Sequence, residues 1–236
     1  MISTYGWLAL PAIVMLLGGI LTAFWHPSKA FIALVQHFAA GIILAAVTIE
    51  VFPEMRSAGV ATATLVGSFT LGVLFMYGIK LLGQYLEGGF QSSPTQGGFN
   101  YGFIITVFID AALDGVTIGA GFAAGQRVGF ALALGLSVEM LFLGMSLISD
   151  TIRGARVMWL SAALGAALFA SAILGYYILS KAPHATVAVA LAFSAAALLY
   201  LVTEELLIEA HQHEERSYSM LVLFAGFIGF WMISLL

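Results

Sequence analysis

Apolar residues fill this chain in long runs, and short polar or turn-forming stretches separate the runs. Because a helix needs about 20 residues to cross a bilayer, the pattern predicts eight transmembrane helices. The predicted spans cover residues 5–25, 31–52, 60–86, 100–125, 128–149, 157–180, 185–209 and 217–236. The longest connection, EGGFQSSPTQGG at 87–98, is expected to be a flexible loop. We therefore predict an all-α membrane protein in which residues 1–236 form a single eight-helix domain.

The composition supports a membrane protein and excludes several other classes. Only 8% of the residues are charged and 61% are hydrophobic, with a mean hydropathy of +1.05. That leaves too little polar surface to coat a water-soluble domain. The net charge of −4 includes no basic run, so no nucleic-acid partner is expected, and the lack of cysteine excludes disulfides and thiolate sites. The apolar segment from Met1 to Trp25 lacks a basic leader, so it is interpreted as a retained first span.

An even number of spans puts both termini on the same side of the membrane. With external termini, internal loops carry four basic residues and external loops three, a small positive-inside excess. This favours external termini in a cell membrane, either plasma or inner. The lipid bilayer is the expected surrounding, and the oligomeric state stays open with a homodimer among the options.

Acidic side chains occur where an apolar helix should carry none. Six lie in or at the ends of predicted spans: Asp110, Asp114, Glu139, Glu50, Glu204 and Glu205. A charge at bilayer depth costs at least about 2.5 kcal/mol, so such residues usually mark a functional site. Few lysines or arginines are close in sequence, so protons or a bound cation must neutralise these carboxylates.

Three of these carboxylates are predicted to converge. Asp110 and Asp114 are four residues apart on one helical face, and Glu139 lies in the middle of the next span. Because the connection at 126–127 is very short, the two helices should be antiparallel neighbours, with Asp114 and Glu139 at the same depth. Three carboxylates at one depth would form an oxygen-rich cation site.

Two acidic pairs suggest an internal repeat. The second span ends in Glu50 and Glu54, and the seventh in Glu205 and Glu209, both with three residues between the acids. Pairing spans one to three with spans six to eight shifts the chain by five spans, which inverts the topology. Inverted repeats with a midplane site are the usual construction of secondary transporters.

At these motifs the sequence resembles the ZIP (Zrt/Irt-like) family of divalent metal transporters. The second span, from His37 to Glu54, is similar to the family's "FAAGV-L…HLLPE" helix, and the segment from Glu205 to Glu209 resembles its "VE-x-x-PE". The patterns His-Asn-x-Pro-Glu-Gly and His-(Glu/Asp)-x-Pro-Glu-Gly would begin at Asp110 and Glu139. The resemblance implies a three-plus-two-plus-three helix arrangement, with metal bound between the fourth and fifth spans.

The departures from the family pattern alter the implied site. Asp110 replaces a histidine, and Ala111, Met140 and Leu143 replace residues that would form an adjacent second site. The resemblance thus implies one metal site built from Asp110, Asp114 and Glu139, with Glu50 and Glu205 as flanking ligands or gates. Carboxylates without imidazole favour harder ions such as Mn²⁺ or Fe²⁺ over Zn²⁺.

The expected function is transport of divalent ions of the Zn/Fe/Mn class towards the cytosol by alternating access. Polar residues after the seventh span could receive a departing ion: Glu204, Glu209, His211 and His213. The metal would be the transported substrate, and no cofactor is expected. A proton-coupled carrier of another, organic, cation is the alternative. An enzyme is disfavoured because the chain has no His-Glu-x-x-His and no Gly-x-Ser-x-Gly motif.

Overall fold

The computed structural model describes residues 4–25, 28–89, 101–147, 154–208 and 218–235, and every regular element in these ranges is helical. The helices are α1 (Thr4–Phe24), α2 (Lys29–Ala46), α3 (Phe52–Ser57), α4 (Thr62–Gly89), α5 (Tyr101–Ala124), α6 (Gln126–Ser146), α7 (Ala155–Leu179), α8 (His184–Leu201) and α9 (Ser219–Ser234). Two π-helical turns, Val47–Val51 and Val202–Leu206, follow α2 and α8 directly.

Seven of the described helical segments are long and apolar enough to cross a membrane, and the apolar helix α9 is shorter. They correspond in order to the eight predicted spans, the second being α2, the first π-helical turn and α3 in one continuous helix. The prediction of an all-helical membrane protein is confirmed in the described part of the chain. The chain is therefore an integral membrane protein.

Two predicted boundaries differ from the structure. The second span was expected to end at residue 52, but the helix runs on through Ser57. Pro53 occupies the first turn of α3, where its missing N–H is tolerated, directly after the wider π-helical turn. The loop expected from residue 87 begins later, because α4 extends to Gly89. The rest of that predicted loop lies outside the described residues.

The eight spans pack in two groups of four, with α2 and α3 counted as one span. In the first group α5 packs along α7, and α1 packs along both α6 and α7. In the second, α2 packs along α9 and α4 along α8, while α2 and α3 also meet the chain of α8. Among the seven long spans α6 is the most buried and α4 the least. The acidic residue of α6 is thus carried on the central helix.

Small residues allow the closest of these contacts. A side chain on Gly115 would overlap the carbonyl oxygen of Leu168, and one on Gly119 would overlap Ala172, so α5 and α7 touch through their backbones. Gly115 and Gly119 have the Gly-x3-Gly spacing that lets helix backbones approach closely within a membrane.

Candidate functional site

An acidic cluster lies between α5 and α6. Asp110 and Asp114 come from adjacent turns of α5 and Glu139 from α6, and one oxygen from each lies within 4.8 Å of the others. Asp114 and Glu139 are each 4% exposed, and Asp110 is partly buried. We call these three residues the acidic triad. In the part of the chain that the structure describes, it is the one group of three or more acidic or histidine side chains with this proximity.

The connection between α5 and α6 explains why the triad forms. Gly125 alone separates the two helices, in an extended conformation, so the chain reverses within one residue. The helices pack as antiparallel neighbours, as the short connection predicted. Residues at similar distances from Gly125 therefore lie at similar depth, which brings Glu139 to the face that carries Asp110 and Asp114.

Apolar residues flank the triad residues in sequence. Ala111 and Met140, each next to a triad residue in sequence, are fully buried. At an effective dielectric constant of about 20, two carboxylate charges 4.8 Å apart repel by about 3.5 kcal/mol, and closer oxygens repel more. Three ionised carboxylates cannot stay together at that cost without a counter-charge. The arrangement suits a divalent cation, whose two charges offset most of the triad.

A pair of hydroxyl groups extends this polar face. The Thr117 hydroxyl donates a hydrogen bond to Ser194 Oγ of α8 over 3.1 Å, and both residues are buried. Thr117 is three residues after Asp114 and seven after Asp110, so all three share one side of α5. Sequence reasoning missed this pair, although the spacing from Asp114 was a usable signal. Hydroxyl oxygens are hard donors suited to an ion or its waters.

The flanking residues lie elsewhere. Glu50 is half-buried on the first π-helical turn and is not part of the triad cluster. Glu205 belongs to the second π-helical turn, and its side chain lies outside what the structure describes. The predicted exit residues Glu209, His211 and His213 also lie outside the described residues.

Glu204 has a partner that sequence proximity could not show. Its carboxylate forms an ion pair with the ammonium group of Lys80 on α4, which is 124 residues away in the chain. Both side chains are partly exposed. The expectation that these acids have few basic neighbours is therefore wrong for Glu204. The available signal was that Lys80 is the one lysine well inside a predicted span.

These features define an integral membrane protein with an acidic cluster buried between two central helices. A scan against protein-family models finds no match, and a search of curated proteins finds no similar sequence. The resemblance to ZIP transporters therefore rests on the motif residues alone.

Proposed function

We propose that the chain transports divalent metal ions across the membrane through the acidic triad. The observation that carries this proposal is the convergence of Asp110, Asp114 and Glu139 within 4.8 Å, in a span region where isolated charges are costly. For a purely structural role, hydrogen-bonded neutral residues would cost less free energy to bury than three carboxylates. The repeated occurrence of acids at this one place favours a cation as the ligand.

The size of the cluster fits a divalent metal ion. Carboxylate oxygens bind divalent ions at about 2.0–2.6 Å, so opposite ligands of one ion are about 4.0–5.2 Å apart. The 4.8 Å limit on the triad oxygens falls in this range. Three carboxylates with water completing the shell suit Mn²⁺ or Fe²⁺ better than Zn²⁺.

Helix contacts support an inverted repeat that pairs α1 to α4 with α7 to α9. Gly226 of α9 lies against the backbone of α2 at Phe38. A side chain on this glycine would overlap the Phe38 carbonyl. The backbone at Phe193 of α8 is met in the same way by Gly72 of α4. Phe38 and Phe193 both stand nine residues before a π-helical turn. This correspondence favours the three-plus-two-plus-three arrangement expected of an alternating-access carrier.

The two central helices fit the same repeat. A side chain on Gly115 of α5 would overlap the Leu168 carbonyl of α7, and one on Gly144 of α6 would overlap the Met15 carbonyl of α1. Gly115 and Gly144 are thus equivalent positions that bring α5 onto α7 and α6 onto α1.

Counting back from these glycines relates the acids to one another. Asp110 and Glu139 each lie five residues before their glycine, and Asp114 and Leu143 each lie one residue before. Asp114 therefore has an apolar counterpart. With acids at both Asp114 and its counterpart Leu143, the repeat would supply four ligands. This chain has three, which supports a site for a single ion.

The remaining parts of the proposal concern the path and the direction of transport. With external termini the ion would enter past Glu50, bind at the triad and leave past Glu205 towards the cytosol. Glu204, Glu209, His211 and His213 would receive it there. The cell membrane, plasma or inner, is the proposed location.

The test is ion uptake by the purified protein in proteoliposomes, measured for Mn²⁺, Fe²⁺, Zn²⁺, Cd²⁺ and Co²⁺. We expect uptake with Mn²⁺ or Fe²⁺ preferred, and a loss of at least about tenfold for Asp114→Asn and for Glu139→Gln, because each removes a charged ligand. Thr70→Val, at an exposed position of α4 outside the triad, is the control and should transport normally. Absent metal uptake, or normal uptake by both triad variants, would refute the proposal. Uptake of methylammonium instead of metal would favour the organic-cation carrier.

A further inference from the structure

Two π-helical turns occupy equivalent places in the proposed repeat. The first, Val47–Val51, has the sequence Val-Thr-Ile-Glu-Val, and the second, Val202–Leu206, has Val-Thr-Glu-Glu-Leu. In each, the residue after the turn donates its N–H five residues back, from Phe52 to Val47 and from Leu207 to Val202. Such turns make up well under 1% of residues in proteins and occur often at functional sites. Two at matched positions indicate a shared role.

Both turns contain a threonine with the same hydrogen bonds. The Thr48 hydroxyl donates to the Leu44 carbonyl at 2.7 Å and lies 3.3 Å from the Ala45 carbonyl. The Thr203 hydroxyl is 2.9 Å and 3.1 Å from the carbonyls of Leu199 and Tyr200. A hydroxyl bonded to the preceding turn competes with backbone amides for the same acceptors and bends the helix. Thr48 and Thr203 each engage two carbonyls of the preceding turn, where Thr70 of the regular helix α4 engages one, and the wider turn follows only the first two.

The wider turn sets the rotation of the helix beyond it. A π-helical turn adds one residue to an α-helix, so its loss would rotate the residues beyond it by about 100° around the axis. Glu50 lies within the first turn and Glu205 within the second. The first turn packs against α6, which carries Glu139, and the second against α2. Loss of the first turn would thus rotate the residues beyond it relative to α6, and loss of the second would rotate the residues beyond it relative to α2.

We propose that Thr48 and Thr203 are positioning residues that keep the two π-helical turns, and thereby hold Glu50 and Glu205 at the two ends of the ion path. This inference depends on the proposed function, because it assigns the turns to the same transport cycle. The two turns lie towards opposite faces of the membrane, so each threonine acts on one end of the path. Neither threonine belongs to the triad, so neither is a ligand of the ion bound there.

A threonine in a regular helix provides a matched control. The Thr70 hydroxyl bonds the Val66 carbonyl at 2.8 Å, as in the π-helical turns, but Thr70 lies on an exposed face of the regular helix α4. Thr70→Val removes the same type of hydrogen bond without affecting a π-helical turn. It separates the effect of the turn from that of losing any helical hydroxyl.

The experiment compares Thr48→Val, Thr203→Val and Thr70→Val in proteoliposomes, with Thr48→Ser and Thr203→Ser as conservative variants. The loss of one hydrogen bond changes an equilibrium or rate constant by about 2- to 12-fold. We expect Thr48→Val to raise the KM for Mn²⁺ uptake by such a factor. Thr203→Val should lower kcat by a similar factor. The serine variants should restore the wild-type value, and Thr70→Val should match wild type. Electron paramagnetic resonance gives the Kd for Mn²⁺ of the detergent-solubilised protein. This Kd should stay within about twofold of the wild-type value for all variants, which is less than the change expected from one lost hydrogen bond.

The outcomes distinguish this inference from the proposed function. If wild-type protein transports Mn²⁺ and both valine variants transport it equally well, the positioning role is refuted while the transport function stands. An equal defect in Thr70→Val, or failure of serine to restore transport, would also refute it. If wild-type protein neither binds nor transports any divalent ion, the proposed function itself fails and the inference fails with it.

Discussion

Replacing Asp114 by asparagine should change protein stability in opposite directions with and without metal. The substitution keeps the size of the side chain and removes one charge from the triad. Each charged pair in the triad repels by about 3.5 kcal/mol or more at separations up to 4.8 Å, at an effective dielectric constant of about 20. Bound protons relieve part of this repulsion before the mutation. We expect a gain of about 1–2 kcal/mol in the metal-free state, which raises the Tm by about 2–8 °C for a protein of this size.

The same substitution should abolish stabilisation by metal. An ion at 100 times its Kd stabilises the protein that binds it by about 2.7 kcal/mol, or about 5–11 °C in Tm. Wild-type protein should show this increase with Mn²⁺, and Asp114→Asn should show little of it at the same concentration. The assay is thermal unfolding in detergent, followed by the fluorescence of the four tryptophans.

A structural role for Asp114 gives the contrary result. If its carboxylate mainly supports the fold through hydrogen bonds, Asp114→Asn should lower the Tm in metal-free buffer and leave the increase with Mn²⁺ unchanged. That result would refute the assignment of Asp114 to a cation site. Glu54→Gln removes a half-buried acid outside the triad and should alter neither measurement.

Three further predictions concern packing, the ion pair and proton release. Gly115→Ala should lower the free energy of unfolding by about 1–3 kcal/mol, because the added methyl group would overlap Leu168. Gly78→Ala, where the space is open, is the control and should not lower it. Equal effects of the two substitutions would contradict the backbone contact between α5 and α7. Lys80→Met and Glu204→Gln should each lower the Tm, because each breaks the same ion pair. The Tm of the double variant should be no lower than that of the more damaging single variant. Additive losses of Tm would contradict the pair. Mn²⁺ binding should release protons in weakly buffered solution, because carboxylate ligands must be deprotonated. Asp114→Asn should release fewer protons on binding Mn²⁺. Equal proton release would place the ion at a site that does not include Asp114.

Much of the fold and the centre of the candidate site could be predicted from the sequence. Helix number and order follow from hydropathy, since each span must satisfy its own backbone within the bilayer. The convergence of Asp110, Asp114 and Glu139 followed from counting residues on either side of a short connection. This worked because two antiparallel helices with a one-residue link have little freedom of register.

Three features depended on the tertiary structure. The pairing of Lys80 with Glu204 joins residues 124 positions apart, and hydropathy contains no information about which helices become neighbours. The continuation of the second span through Pro53 required the wider turn before it, which hydrophobic periodicity cannot distinguish from an α-helical turn. The sequence by itself determined that the carboxylates lie within a membrane protein and at which depth. The third feature is which helices distant in the chain become neighbours, and only helix packing decided it, because such contacts depend on backbone approach at glycines and on the rotation of each helix about its axis.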